Sequence, residues 1–175
     1  MSSKHAAARG TRELVVLLLN FIESHSCVSR EHILSQHFPS EYQKNLSRKL
    51  WEVERYRYIK KTKKGYMLSA RGKRWLSEVD IWRMKIPTPE KWDKKWRVVL
   101  FDIPTNKKRQ RDTFRLRLKE LGLVLYQNSV WVYPHPLTET VSKTAEYYNL
   151  NPYISYITTD TLSGEKELQR RFRLI

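Results

Sequence analysis

Over residues 11–24 the apolar positions Leu14, Val15, Leu18, Leu19 and Ile22 recur at three- and four-residue steps, the period of one helix face. A short connection with Cys27 and Val28 follows. Ser29 is placed to cap a second helix, with Glu31 in its first turn facing the positive end of the dipole. That helix buries Ile33 and Leu34 and stops near Phe38-Pro39, since proline disfavours helical geometry in the residue before it. A third helix is expected from Ser40, with Gln43 closing a capping box and Leu46, Leu50 and Val53 on its inner face at i, i+4 and i+7. Residues 58–62 and 66–69 are short β-prone runs joined by Lys63-Lys64-Gly65, with the glycine at a left-handed hairpin position. A last helix over 70–79 packs Trp75, Leu76 and Val79.

The other faces of the third helix carry Gln43, Lys44, Asn45, Arg48, Lys49 and Arg55. A short helix, a tight turn and a second helix with long polar side chains define a helix-turn-helix. The second helix enters a DNA major groove with its N-terminal residues at base edges and its flanks on phosphates. Lys60, Lys61, Lys63 and Lys64 sit on or beside the hairpin turn, where a basic wing lies along the backbone. The order helix, helix, helix, lysine-tipped hairpin, helix resembles the winged helix-turn-helix domains of bacterial and archaeal regulators and sets a first domain at residues 10–80.

Residues 81–95 read as a linker. Pro87 and Pro89 favour an extended path, and Trp82 and Trp92 argue for a docked connection rather than a free tether.

From residue 96 the periodicity changes. Residues 96–101 form a strand of large and β-branched side chains, ending in Asp102-Ile103-Pro104. A helix over 107–121 buries Phe114, Leu118 and Leu121, carries Arg111, Arg115 and Lys119 along another face, and stops at Gly122. Residues 123–126 and 129–133 are strands around Gln127-Asn128. Residues 138–148 form a helix capped by Thr138, and 152–158 a fourth strand. Strand, helix, strand, strand, helix, strand is the ferredoxin-like βαββαβ order, giving an α+β chain whose second domain covers 96–175. In the tail, Phe172 and Leu174 alternate with Arg171 and Arg173 as in a strand, while a short amphipathic helix through Leu168 fits as well.

Charge narrows the partners. The 175 residues carry 34 Lys+Arg against 18 Asp+Glu, a net +16. Residues 1–93 hold 19 basic and 10 acidic side chains, and 94–175 hold 15 and 8, so both halves are basic. A field of this sign favours polyanions, duplex DNA first. The longest apolar run, residues 14–19, is too short to span a bilayer, no apolar signal segment opens the chain, and Cys27 is the only cysteine. The expectation is a soluble, cytoplasmic protein with no membrane partner.

At WRVVLFDIPTNKKRQRDTFRLRLKELGLVLYQNSVWVYP the chain resembles two families. One is the small ferredoxin-like CRISPR-associated family that forms the dimeric hub of the spacer integrase. The other is the central domain of PaaX-type transcriptional repressors. Both have a first strand ending in Asp, a proline turn, an arginine-rich helix and a glycine before the second strand. Gln127, Ser129, Val130 and Trp131 match the Q-x-S-V-aromatic run of the CRISPR family. Val130-Trp131-Val132 followed by Pro134 is closer to PaaX, as is the winged helix placed ahead. The PaaX resemblance implies a homodimeric, sequence-specific DNA-binding transcriptional repressor. The CRISPR resemblance implies a metal-dependent nuclease or an adaptation factor for spacer acquisition, with Asp102 as the catalytic metal ligand and Mg²⁺ shared by two copies of Asp102 across the dimer. In that family a C-terminal strand also pairs across the dimer. A third reading is a dimerisation module whose basic surface binds RNA. The PaaX-type repressors carry a further C-terminal helical domain, so no effector site transfers to these residues.

The sequence holds no constellation that demands catalysis. No second carboxylate accompanies Asp102 in sequence, and Asp102 also suits a turn cap. No Ser/His/Asp order, phosphate-cradling glycine loop or nucleotide fingerprint occurs. His25, Cys27, His32 and His37 lack paired zinc spacing and read as surface and packing; His135 reads as a loop residue. No cofactor is required by the regulator reading.

Overall fold

The computed structural model describes residues 3–36 and 38–174, with side chains from Arg12 onward. The chain divides into two compact units, Met1–Asp80 and Ile81–Ile175.

In the first unit, α1 (Ser3–Ser24) turns Leu14, Leu18, Leu19 and Ile22 fully inward, as its periodicity requires. α2 (Arg30–Ser35) is capped by Ser29, whose hydroxyl accepts from the His32 amide at 3.1 Å. The expected single helix from Ser40 is instead two. α3 (Ser40–Gln43) is one turn, and α4 (Leu46–Arg55) restarts after Lys44 and Asn45, with the Lys49 amide donating to the Asn45 carbonyl. The capping box does not form either. The Gln43 side-chain amide turns back to the carbonyls of Gln36, the C-cap of α2, and Phe38 in the loop that follows, at 3.0 and 3.2 Å.

β1 (Ile59–Thr62) and β2 (Gly65–Leu68) form an antiparallel hairpin, and Val28 bridges to Tyr66 beside it. The reason for glycine at 65 is closer than turn type. Gly65 has φ +142°, and a Cβ there would meet the Val28 carbonyl oxygen at 2.2 Å. α5 (Ala70–Arg83) starts after Ser69, whose hydroxyl accepts from the Gly72 amide, and it runs past the expected end at Val79.

In the second unit, β3 (Trp96–Phe101), β4 (Val124–Gln127), β5 (Val130–Tyr133) and β6 (Ile154–Thr159) form one sheet of order β4-β5-β3-β6, every neighbour antiparallel. α6 (Lys108–Glu120) and α7 (Thr138–Tyr147) cover one face, burying Val99, Phe101, Phe114, Leu118, Trp131 and Val141. Gly122, at φ +92°, follows α6 as expected. α7 is not capped by Thr138. Leu137 is drawn into the core and takes the N-cap position without a side-chain bond, which places Thr138 inside the helix.

The tail resolves to a helix rather than a strand: α8 (Glu165–Phe172) lays Leu168 and Phe172 on the opposite sheet face, against Trp96, Val98, Val124 and Val132. That face is continuous and apolar, so a helix that covers it is favoured over a strand that would leave it in water.

Residues 81–95 belong to this second unit. Trp82 donates to the Tyr148 hydroxyl, the Arg117 guanidinium donates to the Met84 carbonyl, and Ile86 is buried in the core. No helix among the described residues is long and apolar enough to cross a membrane.

Candidate nucleic-acid interface

The phase of α4 decides what it offers. Leu46, Lys49, Leu50 and Val53 are buried, at i, i+3, i+4 and i+7. Arg48, Trp51 and Arg55, also at i, i+3 and i+7, therefore lie along the opposite stripe, and all three are exposed. Arg48 is held in place from both sides. Its guanidinium donates to the Asn45 side-chain oxygen at 3.0 Å and lies 3.9 Å from Glu52. The Arg55 guanidinium sits 5.2 Å from the centroid of the Trp51 ring, a cation–π distance.

The remaining expected residues separate into two groups. Lys44 is exposed in the turn before α4, and Lys60, Lys61, Lys63 and Lys64 are exposed on the hairpin. The turn between them is fixed by the Thr62 hydroxyl, which accepts from the Lys64 amide and donates to the Gly65 carbonyl. Three residues are committed elsewhere. The Gln43 amide holds the loop before α3, the Asn45 side-chain oxygen holds Arg48, and the Lys49 side chain is only 4% exposed, with its ammonium on Glu52. Lys49 therefore presents no charge to a phosphate. Trp51 was not anticipated, although its position out of phase with Leu46, Leu50 and Val53 is a signal visible in the sequence.

Further packing holds this surface. The Tyr42 hydroxyl donates to Glu13 at 3.0 Å, tying α3 to α1, and that carboxylate raises the tyrosine pKa. His25 and His32 pack their rings against Phe21, and the Cys27 thiol lies 3.7 Å from the Thr62 hydroxyl. They serve the packing of α1 and α2; His37 lies outside the described residues. Among the described residues no three His, Cys, Asp or Glu side chains gather as a metal site.

In the second unit Asp102 is exposed at the end of β3, its amide donating to the Tyr153 carbonyl at 3.0 Å. It lines an open concavity of about 500 Å³ with Leu100, Ser129, Val130, Pro152 and Ser155. Asp102 is the one carboxylate in that lining. The α6 basic row is largely structural: Arg115 donates to the Asn128 carbonyl at 2.7 Å and lies over Phe101, and Arg111 is half-buried, leaving Lys119 exposed. His135 is buried beside Arg97 rather than in an open loop. Burial first, then the Arg97 charge, hold its pKa below the usual value.

In the first unit a basic helix face is thus followed by a lysine-bearing hairpin, and the second unit is an antiparallel sheet in βαββαβ order. Residues 89–170, from the approach to β3 into α8, match the family model described as the PaaX protein central Cas2-like domain. The second unit is a domain of this PaaX central type, and the match supports a PaaX-type family for the chain. It does not reach the first unit. No curated protein matches the chain in sequence.

Proposed function

We propose that the chain is a homodimeric, sequence-specific DNA-binding transcriptional regulator of PaaX type. In this reading the first unit is a winged helix-turn-helix, and the second a ferredoxin-like domain that brings two copies together. The observation that carries it is the α4 face: Arg48 and Arg55 stand exposed opposite a fully buried stripe, with four exposed lysines on the hairpin that follows. Net charge and family point the same way. The dimer is supported by the PaaX-type second unit and by a sheet whose outer strands, β4 and β6, have one side unpaired.

Selection of the full chain against random duplexes yields a preferred site, and anisotropy then separates the two kinds of contact. Lys64→Ala weakens all sequences alike and lowers the salt slope by about one unit. Arg48→Ala instead erodes preference for the selected site. If both variants scale every affinity equally, α4 is not the reading helix. Sedimentation of the free protein as a monomer at micromolar concentration removes the dimer.

A further inference from the structure

Trp51 leaves its indole 55% exposed in the middle of a cationic helix face. Trp51 lies on the outward stripe of α4, one turn after Arg48 and one turn before Arg55, and the Arg55 guanidinium holds its ring at 5.2 Å. No core side chain covers it. Its surroundings select the partner: Arg48 and Arg55 are exposed on the same stripe, and Lys44 is exposed in the turn that leads into the helix. Both carboxylates of α4 are engaged, Glu52 with Lys49 and Arg48, and Glu54 with the Tyr66 hydroxyl at 3.4 Å. An apolar protein surface brings no anions for those guanidiniums. The floor of a DNA major groove offers phosphates on both sides and one apolar feature, the 5-methyl group of thymine.

We infer that Trp51 is a specificity-determining residue, its indole packing on a thymine 5-methyl group while Arg48 and Arg55 flank it on bases or phosphates. The inference rests on the DNA reading above and names a chemical group within the preferred site. The Arg55 contact favours one ring orientation before binding, which lessens the side-chain freedom lost on contact.

The test uses the full chain and its selected duplex, with each thymine replaced in turn by uracil, which removes only the methyl group. At one or two positions the replacement weakens wild-type binding about fourfold, the effect of burying one methyl group. In Trp51→Ala the same replacement is silent, while Trp51→Phe, which keeps an apolar ring, retains part of the discrimination. Unchanged thermal midpoints for both variants show that folding is intact, as expected for an exposed side chain. Wild-type indifference to every uracil, or a Trp51→Ala protein that still discriminates, overturns the inference while leaving a DNA-binding regulator in place. A selection that returns no preferred duplex overturns the DNA reading itself.

Discussion

Gly65→Ala is the sharpest probe of how the lysine hairpin is held. The added Cβ would stand 2.2 Å from the Val28 carbonyl oxygen, 2.6 Å from its carbon and 2.9 Å from the Ser29 nitrogen. All three atoms are backbone, so no side chain can swing away. Reaching an ordinary carbon–oxygen contact requires a retreat of about 1 Å. That movement disrupts the paired Val28–Tyr66 hydrogen bonds, at 3.0 and 2.7 Å, each contributing about 1 kcal/mol. An alanine held at φ +142° adds about 1–3 kcal/mol of backbone strain. The expected loss is therefore about 3–5 kcal/mol in the first unit.

Gly164→Ala is the matched control, because Gly164 has φ +71° but nothing within 4 Å of the added atom; it loses only about 1–2 kcal/mol. Denaturant-dependent hydrogen exchange, read on the amides of the unit that carries each change, avoids assuming that two units unfold together. Equal losses in the two variants would refute the close-approach argument. So would a Gly65→Ala protein whose Val28 and Tyr66 amides keep their protection.

Lys49→Met retains the buried stem and discards a charge already paired with Glu52 on the same helix. It leaves the salt slope of DNA binding unchanged, whereas Lys64→Ala lowers it; a lowered slope for Lys49→Met shows that the ammonium does reach phosphate. Asp93 accepts two hydrogen bonds from the Arg97 guanidinium, at 2.6 and 2.5 Å, and these hold its carboxyl down at about 2 against an ordinary 3.8. A depressed carboxyl pKa stabilises the fold above the ordinary value, and the contribution is lost as pH falls from 3.8 toward 2. Because the Asp93 side chain is 46% exposed, screening limits the effect to below about 1 kcal/mol. Urea unfolding should show wild type ahead of Asp93→Asn at neutral pH, with the gap closing in strong acid; a gap that persists there refutes the assignment.

Where local chemistry and packing agree, the sequence was sufficient. The Leu14, Leu18, Leu19 and Ile22 stripe, the Ser29 cap and the Gly122 stop each depend on residues within one or two turns. The failures share a different cause. Nothing in the periodicity of residues 40–55 breaks at Lys44-Asn45; the break accompanies a Gln43 amide drawn to the carbonyls of Gln36 and Phe38 in the loop after α2. Lys49 reads as solvent-facing because lysine usually is, and its burial depends on Glu52 three residues on. The tail is a different case: its sequence fits either a strand or a helix through Leu168, and the apolar sheet face of Trp96, Val98, Val124 and Val132 decides for the helix. In the candidate interface the exposed arginines and lysines are legible from charge alone, whereas Trp51 is legible only from its phase opposite Leu46, Leu50 and Val53.

The Val28–Tyr66 bridge joins positions 38 residues apart in sequence. Closing so wide a loop is slow compared with winding either neighbouring helix. The lysine-bearing turn is thus held through a contact that spans 38 residues of chain, so a change that loosens the α1–α2 connection at Val28 also loosens the turn.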